Sequence, residues 1–293
     1  MKKSILFTAL AALLVATSCA GSTEQVAVQK KKAPERQGWE DWQEPIYGDV
    51  ESVTITDYDL AEKFGEIVKD KIDDKEVYRF NQKGDVIEMA NHNSDGSLEG
   101  NYLYKYDSQG KKIEEAKYNP DGSLRYKYLY KYDSQGNKIE GAEYNSDGSL
   151  VCKDLFKYDS QGNKIEWAWY KSDGSLEFKG TYKYDSQGNK IEEAWYNSDG
   201  SLDCKYLLKY DSQGNEIERA WYGSDGSLQR KYLYKYDSQG NKIEEAEYNS
   251  DGLLEYKYLY KYDSQGNWIE KVQHKGEGMK PTFMQVCEIV YRK

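Results

Sequence analysis

The sequence predicts an all-β protein: tandem 26-residue β-hairpin repeats forming one long antiparallel meander that coils, a solenoid-like single sheet. Three observations carry that prediction. The tetrapeptide Asp-Ser-Gln-Gly begins at Asp107, Asp133, Asp159, Asp185, Asp211, Asp237 and Asp263, always 26 residues apart, and a decayed copy opens at Asn81. Each copy sets two turn clusters around two runs of seven to nine residues, the layout of a hairpin joined to the next hairpin. Tyrosine alternates with lysine at a period of two, as from Tyr126 to Tyr132, which is a strand pattern and not a helical one. Repetition also argues against an enzyme. A catalytic site needs residues unlike those around it, and here the copies carry much the same residues.

From the start of the chain, Lys2 and Lys3 precede an apolar stretch, Ile5 to Val15, then Ala16-Thr17-Ser18 and Cys19. That order resembles the lipobox of bacterial lipoproteins, and Ser-Cys at the junction is most similar to Bacteroidetes examples. The resemblance implies a signal peptide over 1–18, cleavage before Cys19, and lipidation of its thiol and new amino group. An ordinary secretory signal with an incidental Cys19 is the competing account. The apolar stretch is shorter than the ~20 residues of a membrane-spanning helix. The expected membrane partner is therefore met through acyl chains, with the protein exported and held at the outer membrane or cell surface of a bacterium. Residues 19–45 are polar, include Lys30-Lys31-Lys32, and read as a flexible tether. Trp39 and Trp42 within them are expected to dock on the first strands.

Residues 46–76 read as N-terminal capping strands, with one near Glu51–Asp57. Residues 77–274 hold eight tandem hairpins, and 275–293 a C-terminal capping strand near Met284–Tyr291. Within a unit both turns have Asp or Asn first and Gly fourth, the preference of a type I turn followed by a left-handed glycine. Pro120 supports three-residue loops with a bulge, because a two-residue Asp-Gly turn would place it in the ladder. The pairing expected from that loop sets Tyr132 opposite Lys138, Tyr130 opposite Glu140, Tyr128 opposite Ala142 and Tyr126 opposite Tyr144. Tyrosines and the alanine series Ala116, Ala142, Ala168, Ala194, Ala220 and Ala246 would then share one nearly constant face, concave or inner. The opposite face would be charged and variable. Open twisted sheets rarely exceed ~10 strands without curling, so the meander is expected to coil. A membrane barrel fits poorly, because both faces carry charge.

The motif Tyr132-Asp133-Ser134-Gln135-Gly136-Asn137 resembles the YD repeats of RHS-type bacterial surface proteins, and the meander is similar in kind to MORN-like repeats. The resemblance covers about Val77 to His274. It implies hairpins that wind into a shell and a surface location, and it carries no catalytic residue. The period is long for a YD repeat, and neither an RHS core signature nor a toxin domain follows.

A net charge of -10 and a pI near 5.0 argue against nucleic acid as partner, since phosphates require a basic surface. Cys152 and Cys204 occupy one slot of copies two apart, which strand spacing places ~19 Å apart, beyond disulfide reach. Cys152, Cys204 and Cys287 thus give no disulfide framework, and His92 and His274 lie too far apart to suggest a metal. No cofactor is expected. Turn chemistry explains the Asn-Ser-Asp-Gly-Ser and Asp-Ser-Gln-Gly-Asn loops without calcium. The row Glu114, Glu140, Glu166, Glu192, Glu218 and Glu244 has a spacing of ~10 Å, too wide for a glycosidase pair.

Trp169, Trp195 and Trp221 hold one slot in three consecutive copies, and Trp167 adds a fourth ring. On the register above they form an exposed row at ~10 Å intervals on the charged face, suited to stacking on sugar rings. The competing account is cross-strand packing over Lys153, Lys179 and Lys205. The expected function is a lipid-anchored, non-catalytic binding scaffold for glycan or protein ligands. A structural stalk or spacer, or an envelope component that self-associates through sheet edges, is the alternative.

Overall fold

A computed structural model describes residues 36–39, 44–276 and 278–293. It contains eighteen β-strands: β1 (Val50–Lys63), β2 (Glu66–Phe80), β3 (Val86–Asn93), β4 (Leu98–Tyr106), β5 (Lys112–Tyr118), β6 (Leu124–Tyr132), β7 (Lys138–Asn145), β8 (Leu150–Tyr158) and β9 (Lys164–Lys171). The series continues with β10 (Leu176–Tyr184), β11 (Lys190–Asn197), β12 (Leu202–Tyr210), β13 (Glu216–Gly223), β14 (Leu228–Tyr236), β15 (Lys242–Asn249), β16 (Leu254–Tyr262), β17 (Trp268–Lys275) and β18 (Lys280–Tyr291).

Each strand pairs antiparallel with the next, and β18 pairs with β1, so the sheet closes into a barrel. The expected open, solenoid-like sheet is corrected on this point. The two segments read as caps are each other's partners: Val53 lies opposite Ile289 and Ile55 opposite Cys287. Closure removes both exposed edges, which an open meander would leave unpaired.

The turns are built as the sequence indicates. Asp133 N–H donates to the Asn137 carbonyl at 2.9 Å, Gly136 N–H to the Asp133 carbonyl at 3.1 Å, and Gly136 has φ 93°. Tyr132 pairs with Lys138 as expected. The register then differs from the expected one. A second bulge skips Ile139, so Lys131 faces Glu140, Tyr130 faces Gly141, Leu129 faces Ala142 and Tyr128 faces Glu143. An equivalent bulge skips Val151 beyond the other turn. One unpaired residue moves every following side chain of that strand to the other face.

The tyrosines of the strands that run as Tyr126–Tyr132 does therefore line the inside, whereas the alanine series lies outside, together with the tyrosine two residues after each alanine, such as Tyr144 opposite Lys127. Ala142 is buried between Leu129 and Lys153 on the neighbouring strands. The glutamate row is also outside, bracketed by lysines: Glu140 meets Lys131 and Lys153 at 2.8 Å each, and Glu218 meets Lys209 and Lys231 at 2.9 Å each. This Lys–Glu ladder occupies the surface that a membrane barrel would make apolar.

A barrel of this many strands encloses more space than its own wall can fill. One end, that of the Asp-Ser-Gln-Gly turns, is packed by the segment preceding β1. Trp39 rests against Tyr78 and Phe80 with ring centroids 4.9 and 5.8 Å away, the docking expected of it; Trp42 lies outside the described residues. Arg36 donates to the Ile46, Gly48 and Gly84 carbonyls, and Ile46 joins Val50, Val53, Phe80, Val86 and Trp268 in the apolar core. The last tyrosine of each repeat ties neighbouring strands together: Tyr132, Tyr158, Tyr184 and Tyr262 donate their hydroxyls to the carbonyls of Lys112, Lys138, Lys164 and Lys242 at 2.7–2.8 Å.

Candidate functional site: the barrel lumen

The extra bulge decides where the functional side chains point. Most strand positions that change from copy to copy face inward, although the exposed bulge slot of Glu99, Arg125, Val151 and Asp203 changes as well. Glu115, Gly141, Trp167, Glu193, Arg219 and Glu245 occupy one inward slot, whereas the outward glutamates one residue earlier never change from Glu114 to Glu244.

Trp167, Trp169, Trp195 and Trp221 all belong to the inner face, not to the charged outer face expected for them. Lys153, Lys179 and Lys205, the lysines they were expected to pack over, are on the other side of the wall. Trp167, Trp169 and Trp195 do not form a spaced row either. They converge on Phe178: Trp169 stacks on it at 5.2 Å with planes 5° apart, Trp167 meets it edge-on at 5.4 Å, and Trp167 meets Trp195 edge-on at 5.0 Å. Gly180 makes room, since a Cβ there would lie 2.9 Å from the Trp195 ring. Asp154 accepts the Trp167 indole N–H at 2.7 Å, and burial pushes its carboxyl up to about 6. Trp221 stands apart, stacked on Tyr206 at 6.2 Å.

Beyond this aromatic wall the lumen becomes ionic. A cavity of about 610 Å3 is bounded by β1, β2, β13–β18 and the segment around Trp39 and Glu44. It adjoins a second of about 600 Å3 through Arg219, Tyr234 and Glu245, and Trp195 and Tyr206 line that second space. Arg219 makes a two-pronged contact with Glu216 at 2.8 and 3.0 Å. Burial works against the charge on Lys242, but Glu44 at 2.7 Å and Glu245 at 3.5 Å outweigh it and hold the ammonium on. Lys271 lies over the Tyr258 and Tyr260 rings at 4.8 and 5.6 Å, and burial lowers its pKa.

The remaining carboxylates in this wall are Asp57, Asp74 and Glu76. Burial pushes Asp57 up to about 6, with Glu76 and Asp74 adding to the rise and a hydrogen bond from Gln285 at 3.1 Å opposing it. Glu76, which accepts the Tyr78 hydroxyl at 2.8 Å, is raised by burial as well. Among the described residues no three His, Cys, Asp or Glu side chains are grouped as metal ligands.

Arg219, Glu245, Asp57, Glu76 and Lys271 were not singled out from sequence. For Arg219, Glu245 and Lys271 the available signal was variation in one slot against a constant neighbour, which the one-residue register difference put on the wrong face; Asp57 and Glu76 precede the repeats and carry no such signal. Cys152 and Cys287 are buried free thiols, Cys204 is a half-buried one, and Cys19 lies outside the described residues.

No protein-family model matches the chain, and no curated protein sequence matches it. Among solved structures it is similar to the Photorhabdus luminescens Tc holotoxin pore, at 11% identity and TM-score 0.39 over 80% of this chain; the match spans only 14% of the toxin chain. It is also similar to a porin-like protein from Bacteroides uniformis, at 9% identity and TM-score 0.44, covering 82% of this chain and 96% of that one. A protein of unknown function from Bacteroides fragilis matches 51% of this chain at 16% identity and TM-score 0.21.

Proposed function

We propose that the chain is an exported, lipid-anchored bacterial envelope protein of YD-like repeats that binds a saccharide, without catalysis, inside its barrel. The observation that carries this reading is the placement of variation. Duplicated copies keep most of their outward strand residues, the Lys, Leu, Glu and Ala slots, and differ mainly at inward ones, which makes the lumen the more specialised surface. The adjoining cavities are of small-ligand size, which favours a saccharide over a folded protein. Their aromatic walls offer faces for pyranose rings, and their amides, carboxylates and tyrosine hydroxyls offer hydrogen-bond partners.

The test is tryptophan fluorescence and calorimetry of the 20–293 fragment with a panel of neutral host and bacterial oligosaccharides, beside Trp195→Ala and Trp169→Ala. Saturable binding that weakens in folded variants supports the lumen site. Equal binding by the variants points to the outer wall, and no binding leaves the spacer reading ahead. Anchoring is checked separately: radiolabelled palmitate should enter the wild-type protein and not Cys19→Ala.

A further inference from the structure

We propose that the sugar sits in the second cavity, between β11 and β15, and that Arg219 selects it there as a neutral hexose unit. This inference rests on the lumen-binding reading above and adds the subsite, the class of sugar and the residue that recognises it.

One copy of the repeat departs from its neighbours where that cavity lies. In β5, β11 and β15 a lysine is paired with the glutamate three residues on: Lys112 with Glu115 at 2.9 Å, Lys190 with Glu193 at 2.6 Å, Lys242 with Glu245 at 3.5 Å. β13 carries the pair in reverse, Glu216 with Arg219. On the strand before it, Leu208 takes the slot that holds Tyr130, Phe156, Tyr182, Tyr234 and Tyr260 in other copies, and the missing ring opens the space.

These exchanges unmake a hydrogen bond that other copies have. Tyr130 donates its hydroxyl to Glu115 at 3.2 Å and Tyr260 to Glu245 at 3.0 Å, each acceptor lying 15 residues earlier. At that distance from Tyr234 stands Arg219, and a guanidinium has no acceptor to offer. The hydroxyls of Tyr234, Tyr206 and Tyr232 all line this cavity and have no hydrogen-bond partner among the described residues. Glu193 loses its phenol donor to Leu208 and instead accepts the Trp195 indole N–H at 3.0 Å, which fixes that ring in the cavity wall. Every charge here is already matched: Arg219 by Glu216, Glu193 by Lys190, Glu245 by Lys242. The space therefore calls for hydrogen-bond partners and not for a counter-ion. A neutral hexose supplies them, its hydroxyls accepting from the phenols and the remaining Arg219 N–H groups and its ring lying on Trp195.

The experiment titrates the full chain with cellotriose, maltotriose, mannotriose and galactotriose, read by calorimetry and tryptophan fluorescence. At least one should bind saturably. Two variants then restore the residues of the other copies: Leu208→Tyr refills the cavity, and Glu216→Lys with Arg219→Glu turns the ion pair round and gives Tyr234 an acceptor. Each should weaken binding about tenfold or more. Both should fold, because neighbouring copies carry the same residues in the same slots; thermal melting verifies this, and the second variant leaves the cavity open should the first disturb packing. Wild-type affinity in both folded variants overturns the inference, and the lumen reading then stands if Trp169→Ala still weakens binding. If no neutral sugar binds the wild-type chain, the inference and the lumen reading fail together.

Discussion

Asp57 and Asp154 show how burial without a cation changes the pH response of this barrel. Both carboxyls are pushed up to about 6, chiefly by desolvation. A carboxyl whose folded pKa lies above its unfolded value favours the folded state when protonated. Its contribution is therefore complete below about pH 4 and is lost as the pH rises through 6. The turn aspartates act in the opposite direction. Asp95, Asp121 and Asp199 are lowered by hydrogen bonds from Ser97, Ser123 and Ser201, so their contribution is present at neutral pH and is lost on acidification. Asp57→Asn should stabilise the protein at pH 7.5 by about 1 kcal/mol, after discounting the shift for solvent in the lumen. The same change should flatten the stability profile between pH 4 and 6; urea melts across that range measure it, and an unchanged slope would count against the assignment. Gly180 gives a second expectation. With a Cβ 2.9 Å from the Trp195 ring, Gly180→Ala must displace that ring at a cost of about 1–3 kcal/mol. Near-UV circular dichroism should record the loss of the Trp167–Trp195 contact.

Strand identity, turn type and the 26-residue hairpin period were legible because each is set locally, by glycine at positive φ and by alternating side chains. Register was not. The bulge at Ile139 depends on which face its neighbours must occupy in a closed ring, and no residue of the turn announces it. That bulge exchanged the assignments of Ala142 and Glu140, its equivalent at Ile165 exchanged that of Trp169, and with them went the location of the site. The hairpin of β1 and β2 was also only partly legible. β18 pairs with β1 only as far as Asp59, and β3 pairs with β2 only from Asp74. The intervening residues project as a two-stranded ribbon around the turn at Phe64-Gly65. Lys63 pairs with Glu66, and both turn residues have positive φ, 56° at Phe64 and 83° at Gly65. That is a type I′ turn, which favours Asn-Gly, yet its first residue is a fully exposed phenylalanine. Phe64→Asn should stabilise the protein by about 0.5–1 kcal/mol by relieving backbone strain. A loss of stability in a urea titration would mean that the phenylalanine packs on something in solution.

The whole molecule combines repeat-like contacts with a closed topology. Each strand packs mainly on its two neighbours, as in a solenoid, where stability is a sum of local terms. Closure adds one further seam, β1 against β18, and that seam lies in the apolar core with Val53, Ile55 and Cys287. Closure also creates the lumen, since Asp57 and Glu76 share a cavity with Lys271 and Tyr260 across the seam of β1 and β18. Val53→Asp places an unpaired carboxylate at a fully buried position, a cost of several kcal/mol. If the hairpins are held by local contacts, this change should open the seam and spare the repeats. Far-UV circular dichroism would keep its strand signal, sedimentation would slow, and two newly exposed edges would give concentration-dependent association. Loss of all strand signal in one step would show instead that contacts across the lumen, Glu44 to Lys242 among them, bind the ring into a single cooperative unit. In the first case ligand binding should vanish while the fold persists, because the opened sheet would no longer enclose the cavities of the lumen.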